Sequence, residues 1–337
     1  MRNRAGHFPA ALGSLKWAVA ALALLLAFNA ALTPGFFDVG VRDGRVYGVL
    51  VDILNHGSKV AIVAVGMTLV IATGGVDLSV GAVVAISGAV AATLAAEGGA
   101  PWPGAALAAL GAAALCGLWN GALVVGLRLQ PIVATLILMV AGRGVAQLVT
   151  DGAVVTLDTP AAAFIGNGSL LGLPVPVAML AAVLLLCALA TRRTTLGLFI
   201  ESVGDNPRAS RLAGVPEGAV KLLAYAFCAL CAGLAGLIEC SYIKAADANN
   251  AGQLLELDAI LAVVIGGTAL TGGRFSLAGS ILGAMIMQTL TKTLYMQDVS
   301  ADIAPAPKAL AVLAVCLLQS SAVRERLSTL RRKGGAA

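Results

Sequence analysis

Long apolar runs separated by short polar connections dominate the chain. A helix needs roughly 20 apolar residues to cross the hydrocarbon core of a membrane, and most of the runs approach that length. We therefore predict an all-α polytopic membrane protein with about ten transmembrane helices, at residues 17–32, 59–72, 78–96, 105–127, 131–149, 173–190, 219–238, 257–270, 276–294 and 303–318.

The same pattern divides the chain into three parts. Residues 1–16 form a short N-terminal arm, residues 17–320 a single transmembrane domain, and residues 321–337 a C-terminal tail. The first apolar run is followed by no A-x-A cleavage site, so we interpret it as a retained span. The polar stretches are too short for an independent core. Any ATPase activity would therefore come from another chain.

Basic residues fall mainly on one side of this ten-span arrangement. Those near the expected outer ends are Arg42, Arg45, Lys59, Lys244, Lys292 and Lys308. Most of the others lie in the connections on the opposite side and near the chain ends. The positive-inside rule then predicts that both termini are cytoplasmic. The net charge of +5 is explained by this topology and indicates no nucleic acid.

The most polar internal segment is residues 191–221, which lies between two apolar runs and carries more basic than acidic residues. Asn206 can cap a helix, Pro207 suits its first position, and Gly214 can end it in a left-handed conformation. We predict a short helix over residues 207–213 and interpret the segment as a cytoplasmic docking element. The alternative is a solvated loop whose charges only set topology.

Two glycine-rich breaks interrupt the apolar pattern. The sequences are GGVDLSVG at residues 74–81 and GGTALTGG at residues 266–273. Transporters built from repeats often use paired interruptions to expose backbone at the transport pathway. An internal repeat is one interpretation. The other is that glycine, at 40 residues, is common throughout the chain.

Asp77 follows the first break and is expected at membrane depth, where an unpaired carboxylate is costly. It is a candidate for the pathway, although we favour a cap on the following helix. Arg143 lies about 18 Å into a helix that begins at Pro131. It either reaches the outer interface or donates to a carboxylate or hydroxyls in a cavity. Further neutral candidates for contacting a sugar are Asn120, Gln147, Asn249 and Asn250.

Composition argues against chemistry by this chain. Hydrophobic residues make up 59% and charged residues 12% of the sequence. The six cysteines lie almost wholly in apolar runs, and the two histidines, His7 and His56, have no motif around them. No phosphate-binding loop motif is present. We therefore predict no catalytic residues, no metal and no cofactor.

Four ordered motifs then resemble one family. They are GMTLVIATGGVDLSVGAV, PIVATLILMVAGRG, ESVGDNPRASRLAGV and ELDAILAVVIGGTALTGG, within residues 49–320. The chain resembles the permease subunits of bacterial ribose-type ABC sugar importers. Within that family, DGRVYGVLVDIL, LILMVAGRGVAQLVT and ADANNAGQLLELDAILAVVIGG look most like the permeases of galactofuranose importers.

The resemblance implies an inner-membrane permease, as a homodimer or with a close paralogue. It also implies a cytoplasmic ATP-binding subunit and a periplasmic sugar-binding protein. The family's coupling motif E-x-x-G-x-N-x-x-A-x-x-x-A-G matches Glu201, Gly204, Asn206, Ala209, Ala213 and Gly214. Pro207 and Arg208 depart from many relatives and would adjust the fit to the ATPase.

Two other classes are kept as alternatives. A membrane enzyme acting on lipid-linked sugars would need clustered carboxylates or a metal-binding set, whereas the acids in the connections are scattered. An ion-coupled secondary transporter would be expected to carry buried acids in its spans, and few are present. It would also have no use for a docking helix.

Overall fold

The computed structural model describes residues 8–42, 44–96, 98–300, 303–310 and 313. Helices account for most of this part of the chain. They are α1 (Phe8–Leu32), α2 (Val49–Ala72), α3 (Val80–Ala96), α4 (Trp102–Val125), α5 (Pro131–Val149), α6 (Pro160–Asn167), α7 (Val175–Arg193), α8 (Leu196–Asp205), α9 (Pro207–Leu212), α10 (Glu217–Ile243), α11 (Leu255–Ile265) and α12 (Leu277–Met296). Residues 305–310 are also helical.

Three short antiparallel pairs of strands lie in the connections. They are β1 (Val39–Arg42) with β2 (Arg45–Gly48), β3 (Val155–Thr156) with β6 (Ala245–Ala246), and β4 (Ser169–Leu170) with β5 (Leu173–Pro174). The β3–β6 pair joins segments distant in sequence, opposing Val155 to Ala246. It therefore ties the connection after α5 to the one after α10.

Helices α2 and α10 form the centre of the bundle. The share of buried residues is 78% in the apolar window of α2 and 61% in that of α10, against 11% in α1 and α7. Helix α10 packs against α2, α3 and α4, while α12 packs against α2, α11 and α1. Small residues allow the close approach: a Cβ on Gly236 would lie 2.4 Å from the Val84 carbonyl oxygen of α3.

Outer helices expose large apolar side chains. Examples on α1, α4, α5 and α7 are Leu24, Leu115, Val140, Leu148, Leu185 and Leu186. Within the described ranges, six helices are long and apolar enough to cross a membrane: α1, α2, α4, α5, α7 and α10. The shorter α3 is also apolar. The prediction of a helical, polytopic membrane protein is confirmed.

The finer topology stays a prediction. Each predicted span from the first to the ninth overlaps one helix, and the second half of the tenth, apart from residue 313, lies outside the described residues. The same is true of the C-terminal tail and of residues 1–7. Helix α1 already begins at Phe8, inside the segment predicted as an arm. The number of crossings and the side on which the termini lie are therefore expectations.

One predicted boundary is wrong. The sequence pattern placed a mixed-charge connection up to residue 58, yet α2 begins at Val49, ten residues before the predicted span. The charged side chains in this first part find distant partners. Lys59 pairs with Glu239 of α10 at 2.8 Å, and Asp52 pairs with Lys292 of α12 at 2.9 Å. These ion pairs join the polar first part of α2 to α10 and α12.

Candidate functional site

The predicted docking helix is present as α9. Its cap is the one expected, since the Asn206 side-chain oxygen accepts from the Ala209 backbone N–H at 3.0 Å and Pro207 occupies the first position. Gly214 has a φ of +83°, in the left-handed region. The helix ends at Leu212, one residue earlier than predicted. We call residues 196–214 the α8–α9 unit.

Helix α9 folds back on α8 through a side chain. The Ser210 hydroxyl is buried in the unit and donates to the Ser202 backbone oxygen at 2.7 Å. Arg211 pairs with Glu217 at the start of α10. These contacts hold α9 against α8 and leave its other face, with Arg208, Ala209 and Leu212, exposed.

Gly204 is one of the points at which the α8–α9 unit rests on the bundle, in whose core Ile200 and Val203 of α8 are also buried. A Cβ there would lie 1.9 Å from the Ala72 carbonyl oxygen and 2.3 Å from the Gly273 nitrogen. The same two groups bond to each other, since the Gly273 N–H donates to the Ala72 oxygen at 2.9 Å. A Cβ on Gly272 would lie 2.9 Å from the Gly74 nitrogen and 3.0 Å from the Gly204 oxygen, so the two glycine breaks meet and α8 lies directly upon them.

Glu201, one turn before Gly204, holds α8 to the second break. Its carboxylate accepts from the Phe275 backbone N–H and lies near Arg274. Burial raises the pKa of Glu201, and the Arg274 guanidinium acts against that rise. The motif residues Glu201 and Gly204 thus bind α8 to the bundle, whereas Asn206 and Gly214 shape α9.

Leu212 was missed in the sequence analysis. Its side chain is 91% exposed at the end of α9. The available signal was an apolar residue between Arg211 and Ala213 in an otherwise polar segment. Single exposed leucines are common on protein surfaces, so Leu212 is a candidate contact only because of its place on the α8–α9 unit.

A cavity of about 640 Å³ opens beside the α8–α9 unit, between the α4–α5 connection and the start of α10. Its charged lining consists of Arg128, Arg211, Glu217 and Lys221. Since Arg211 is already paired with Glu217, Arg128 and Lys221 give the cavity its positive charge. Such a cavity suits an acidic group on a partner.

The six predicted pathway residues fall into two groups. Arg143, Gln147, Asn249 and Asn250 come together around the connection between α10 and α11, which we call the Arg143 cluster. Gln147 donates to Asn249 at 2.6 Å, and Asn250 donates to Asp247 at 2.7 Å. That bond from Asn250 lowers the pKa of Asp247. The amides and the carboxylate thus form one polar cluster.

Arg143 has partners that the sequence did not predict. Its Nη1 donates to the backbone oxygens of Ala248 and Ala251, and among the described residues no carboxylate or hydroxyl accepts a hydrogen bond from it. The guanidinium therefore braces the α10–α11 connection against α5. A charged donor is well suited to carbonyls that no helix or sheet satisfies.

Asp77 and Asn120 form the second group, and both are completely buried. Asp77 Oδ1 accepts from the backbone N–H and the hydroxyl of Ser79 at 3.0 and 2.6 Å, just before α3. Asn120 Nδ2 donates to the Ser79 hydroxyl at 2.8 Å. This geometry favours the cap that we preferred for Asp77 over a pathway role.

Glu239 was also missed. Besides pairing with Lys59, its carboxylate accepts from the Gly252 backbone N–H at 3.1 Å. The acid therefore links α2, α10 and the connection that Arg143 braces. Its sequence signal was weak, because an acid at the edge of an apolar run is usual at a membrane surface.

Comparison with known proteins identifies the class to which this bundle of apolar helices belongs. The chain matches the family model described as branched-chain amino acid transport system / permease component over residues 49–318. It belongs to that family. It is a multi-pass inner-membrane transport subunit and not an enzyme.

Curated relatives cover nearly the whole chain. The galactofuranose transporter permease protein of Escherichia coli (strain K12) is 51% identical over 89% of this chain and 88% of its own. The fructose import permease protein of Bifidobacterium longum (strain NCC 2705) is 38% identical, and the match covers 95% of this chain and 91% of that protein. The ribose import permease protein of Escherichia coli (strain K12) is 39% identical, and the match covers 89% of this chain and 92% of that protein. No solved structure matches the chain significantly.

Proposed function

We propose that this chain is the membrane-spanning permease of a binding-protein-dependent ABC importer that carries a monosaccharide inward. A separate cytoplasmic subunit would hydrolyse ATP, and a periplasmic sugar-binding protein would deliver the substrate. The observation that supports this most is the α8–α9 unit, which is anchored on both glycine breaks and presents an exposed leucine. Two copies, or this chain and a close paralogue, would line the path within membrane lipid.

Coupling follows from the contacts of the α8–α9 unit. A force on α9 reaches α8 through Ser210 and then the two breaks through Gly204. Those breaks join α2 to α3 and α11 to α12, so a shift of α8 would tilt both pairs of helices. ATP binding to the partner would favour one of two arrangements, as any ligand with different affinities for two states does.

The substrate proposal rests on the relatives. One is named for galactofuranose, one for fructose and one for ribose, all of them monosaccharides. The galactofuranose permease has the highest identity of these three, so we propose galactofuranose or a related pentose or hexose. Amide groups of the Arg143 cluster, including Asn249, suit sugar hydroxyls because an amide both donates and accepts.

The proposed ATPase contact is tested by placing a charge on Leu212. Leu212→Asp is expected to weaken binding of the ATP-binding subunit about tenfold, because burying a leucine contributes about 1.5 kcal/mol or more. Leu171→Asp is the matched control, since Leu171 is 98% exposed in the β4–β5 turn, away from the unit. Binding would be measured by titrating purified ATPase onto the permease in nanodiscs. Equal affinities for the two variants would refute the contact.

The orientation is tested with the same two positions. In a chain without its native cysteines, Leu171→Cys is expected to react with a membrane-impermeant maleimide in intact spheroplasts. Leu212→Cys is expected to react only after the membrane is opened, because the positive-inside rule places the α8–α9 unit in the cytoplasm. Labelling of Leu212→Cys from outside would reverse the topology. It would also remove α9 from the reach of any ATPase.

A further inference from the structure

A buried polar cluster with unpaired atoms lies at the first glycine break, between α2 and α3. Asp77 is fully buried. Its Oδ1 accepts two hydrogen bonds from Ser79 and a longer one, of 3.4 Å, from Asn120 Nδ2. Its Oδ2 is also buried and has no hydrogen-bond partner among the described residues. An unsatisfied carboxylate oxygen is costly, particularly inside a membrane bundle.

Two neighbouring side chains, those of Asn120 and Tyr225, also lack hydrogen-bond partners. The Asn120 Oδ1 atom is buried and unpartnered within the described part of the chain, although its Nδ2 is bonded. The Tyr225 hydroxyl is buried and has no acceptor for its proton there. Tyr225 packs against the break itself, with its hydroxyl oxygen 2.5 Å from where a Cβ on Gly75 would lie. Two acceptors thus lack donors, against one donor that lacks an acceptor.

No positive charge compensates the carboxyl. The groups that face it are Ser79 on its own segment, Asn120 and the Cys116 thiol on α4, and Tyr225 and the Cys228 thiol on α10. Among the described residues, no lysine, arginine or histidine forms an ion pair with Asp77. All the facing groups are neutral. A carboxylate here would be a buried anion without a counter-ion, which is strongly unfavourable.

We propose that Asp77, Asn120 and Tyr225 form a buried proton-binding site, in which Asp77 carries its proton on Oδ2. The proton removes the uncompensated charge and turns Oδ2 from an orphan acceptor into a donor. The unpartnered Oδ1 of the neighbouring Asn120 amide is the acceptor to which this proton is assigned, while Tyr225 packs against the break as a neutral side chain. The neutral cluster joins the break to α4 and α10.

The site has a mechanical consequence that rests on the proposed function. Ala72, whose carbonyl oxygen supports Gly204, lies in the same chain segment as Asp77, at the other end of the break. The neutral cluster holds the far end of that segment against α4 through Ser79 and Asn120, and Tyr225 of α10 packs against the break. A displacement of α8 would therefore move α3 as a unit, and the break would not simply deform.

The test uses Asp77→Asn, because the amide has the shape of the protonated acid and can likewise both accept from Ser79 and donate. In the full transporter in proteoliposomes, we expect sugar uptake within about threefold of wild type, because the amide keeps an acceptor for Ser79 and a donor in place of the acid proton. Asp77→Leu, which cannot accept from Ser79, is expected to lose at least tenfold. Infrared spectra near neutral pH should show a protonated carboxyl C=O band that is absent in Asp77→Asn.

Three results would overturn the proposal. One is Asp77→Asn failing to insert or losing uptake as completely as Asp77→Leu, which would show that the charge is needed. The second is the absence of the infrared band from the wild-type protein. The third is a requirement for Na⁺ or K⁺ that Asp77→Asn abolishes, which would make the site a cation site. The infrared result does not depend on sugar import, so the proposed function fails or stands separately.

Discussion

Gly204→Ala is expected to reduce sugar uptake by at least about 100-fold. The added methyl group would lie 1.9 Å from the Ala72 oxygen, and that oxygen belongs to backbone that cannot rotate away. Overpacking of a close backbone contact typically costs about 3 kcal/mol, which corresponds to more than 100-fold in a population. The strain is confined to the contact between α8 and the two glycine breaks. ATP hydrolysis by the partner should therefore continue without transport. Uptake and ATPase rates in proteoliposomes measure the two effects together.

Gly144→Ala is the matched control. Gly144 lies within α5, and a Cβ there would meet nothing within 4 Å. Alanine in a helix is more favourable than glycine, so this variant should insert and transport like wild type. If Gly204→Ala transported normally, α8 would not rest on the two breaks during the cycle. If it merely failed to accumulate in the membrane, the result would show a folding contact and refute the coupling role.

Local chemistry made α9 predictable, whereas α8 was not predicted. An asparagine cap, a proline at the first position and a left-handed glycine act within a single turn, so the bounds of α9 were predicted to within one residue. The apolar runs likewise predicted most of the helices, because span length depends on the membrane and little on tertiary contacts.

Tertiary pairing explains what the sequence did not reveal. Helix α2 began earlier than predicted because Asp52 and Lys59 are neutralised by residues on α12 and α10, more than 150 positions away in the chain. The meeting of the two breaks at Gly204 is a backbone contact, and the residue pattern carries no record of which loops touch. A composition rich in glycine hides the few positions at which glycine is indispensable.

The polar candidates show the same limit. Residue type predicted that Arg143, Gln147 and Asn249 are functional candidates, and the structure brings them together. The sequence did not predict that Arg143 would donate to main-chain oxygens, because every residue has a carbonyl and the residue pattern does not mark which ones need a donor. Nor did it separate Asp77 and Asn120 from that cluster. Within the described ranges, no hydrogen bond joins the two groups.

Arg143→Met is expected to lower sugar uptake about 10- to 100-fold while leaving binding of the ATP-binding subunit unchanged. The methionine keeps much of the side-chain volume but leaves the Ala248 and Ala251 oxygens without their donor. A hydrogen bond to a charged group contributes about 1.5–3 kcal/mol, which corresponds to this range. Uptake of labelled sugar, with ATPase affinity measured in parallel, checks the result.

The conservative variant separates a brace from a more specific role for Arg143. Both carbonyl bonds come from the single nitrogen Nη1, so a lysine ammonium at this position can replace that donor in part. Arg143→Lys should therefore transport at a level between wild type and Arg143→Met. Val140→Leu, on the exposed face of the same helix, is the control and should transport normally. Loss as complete in Arg143→Lys as in Arg143→Met would contradict the brace, because it would show that the guanidinium itself is required, as a bidentate contact with substrate would demand.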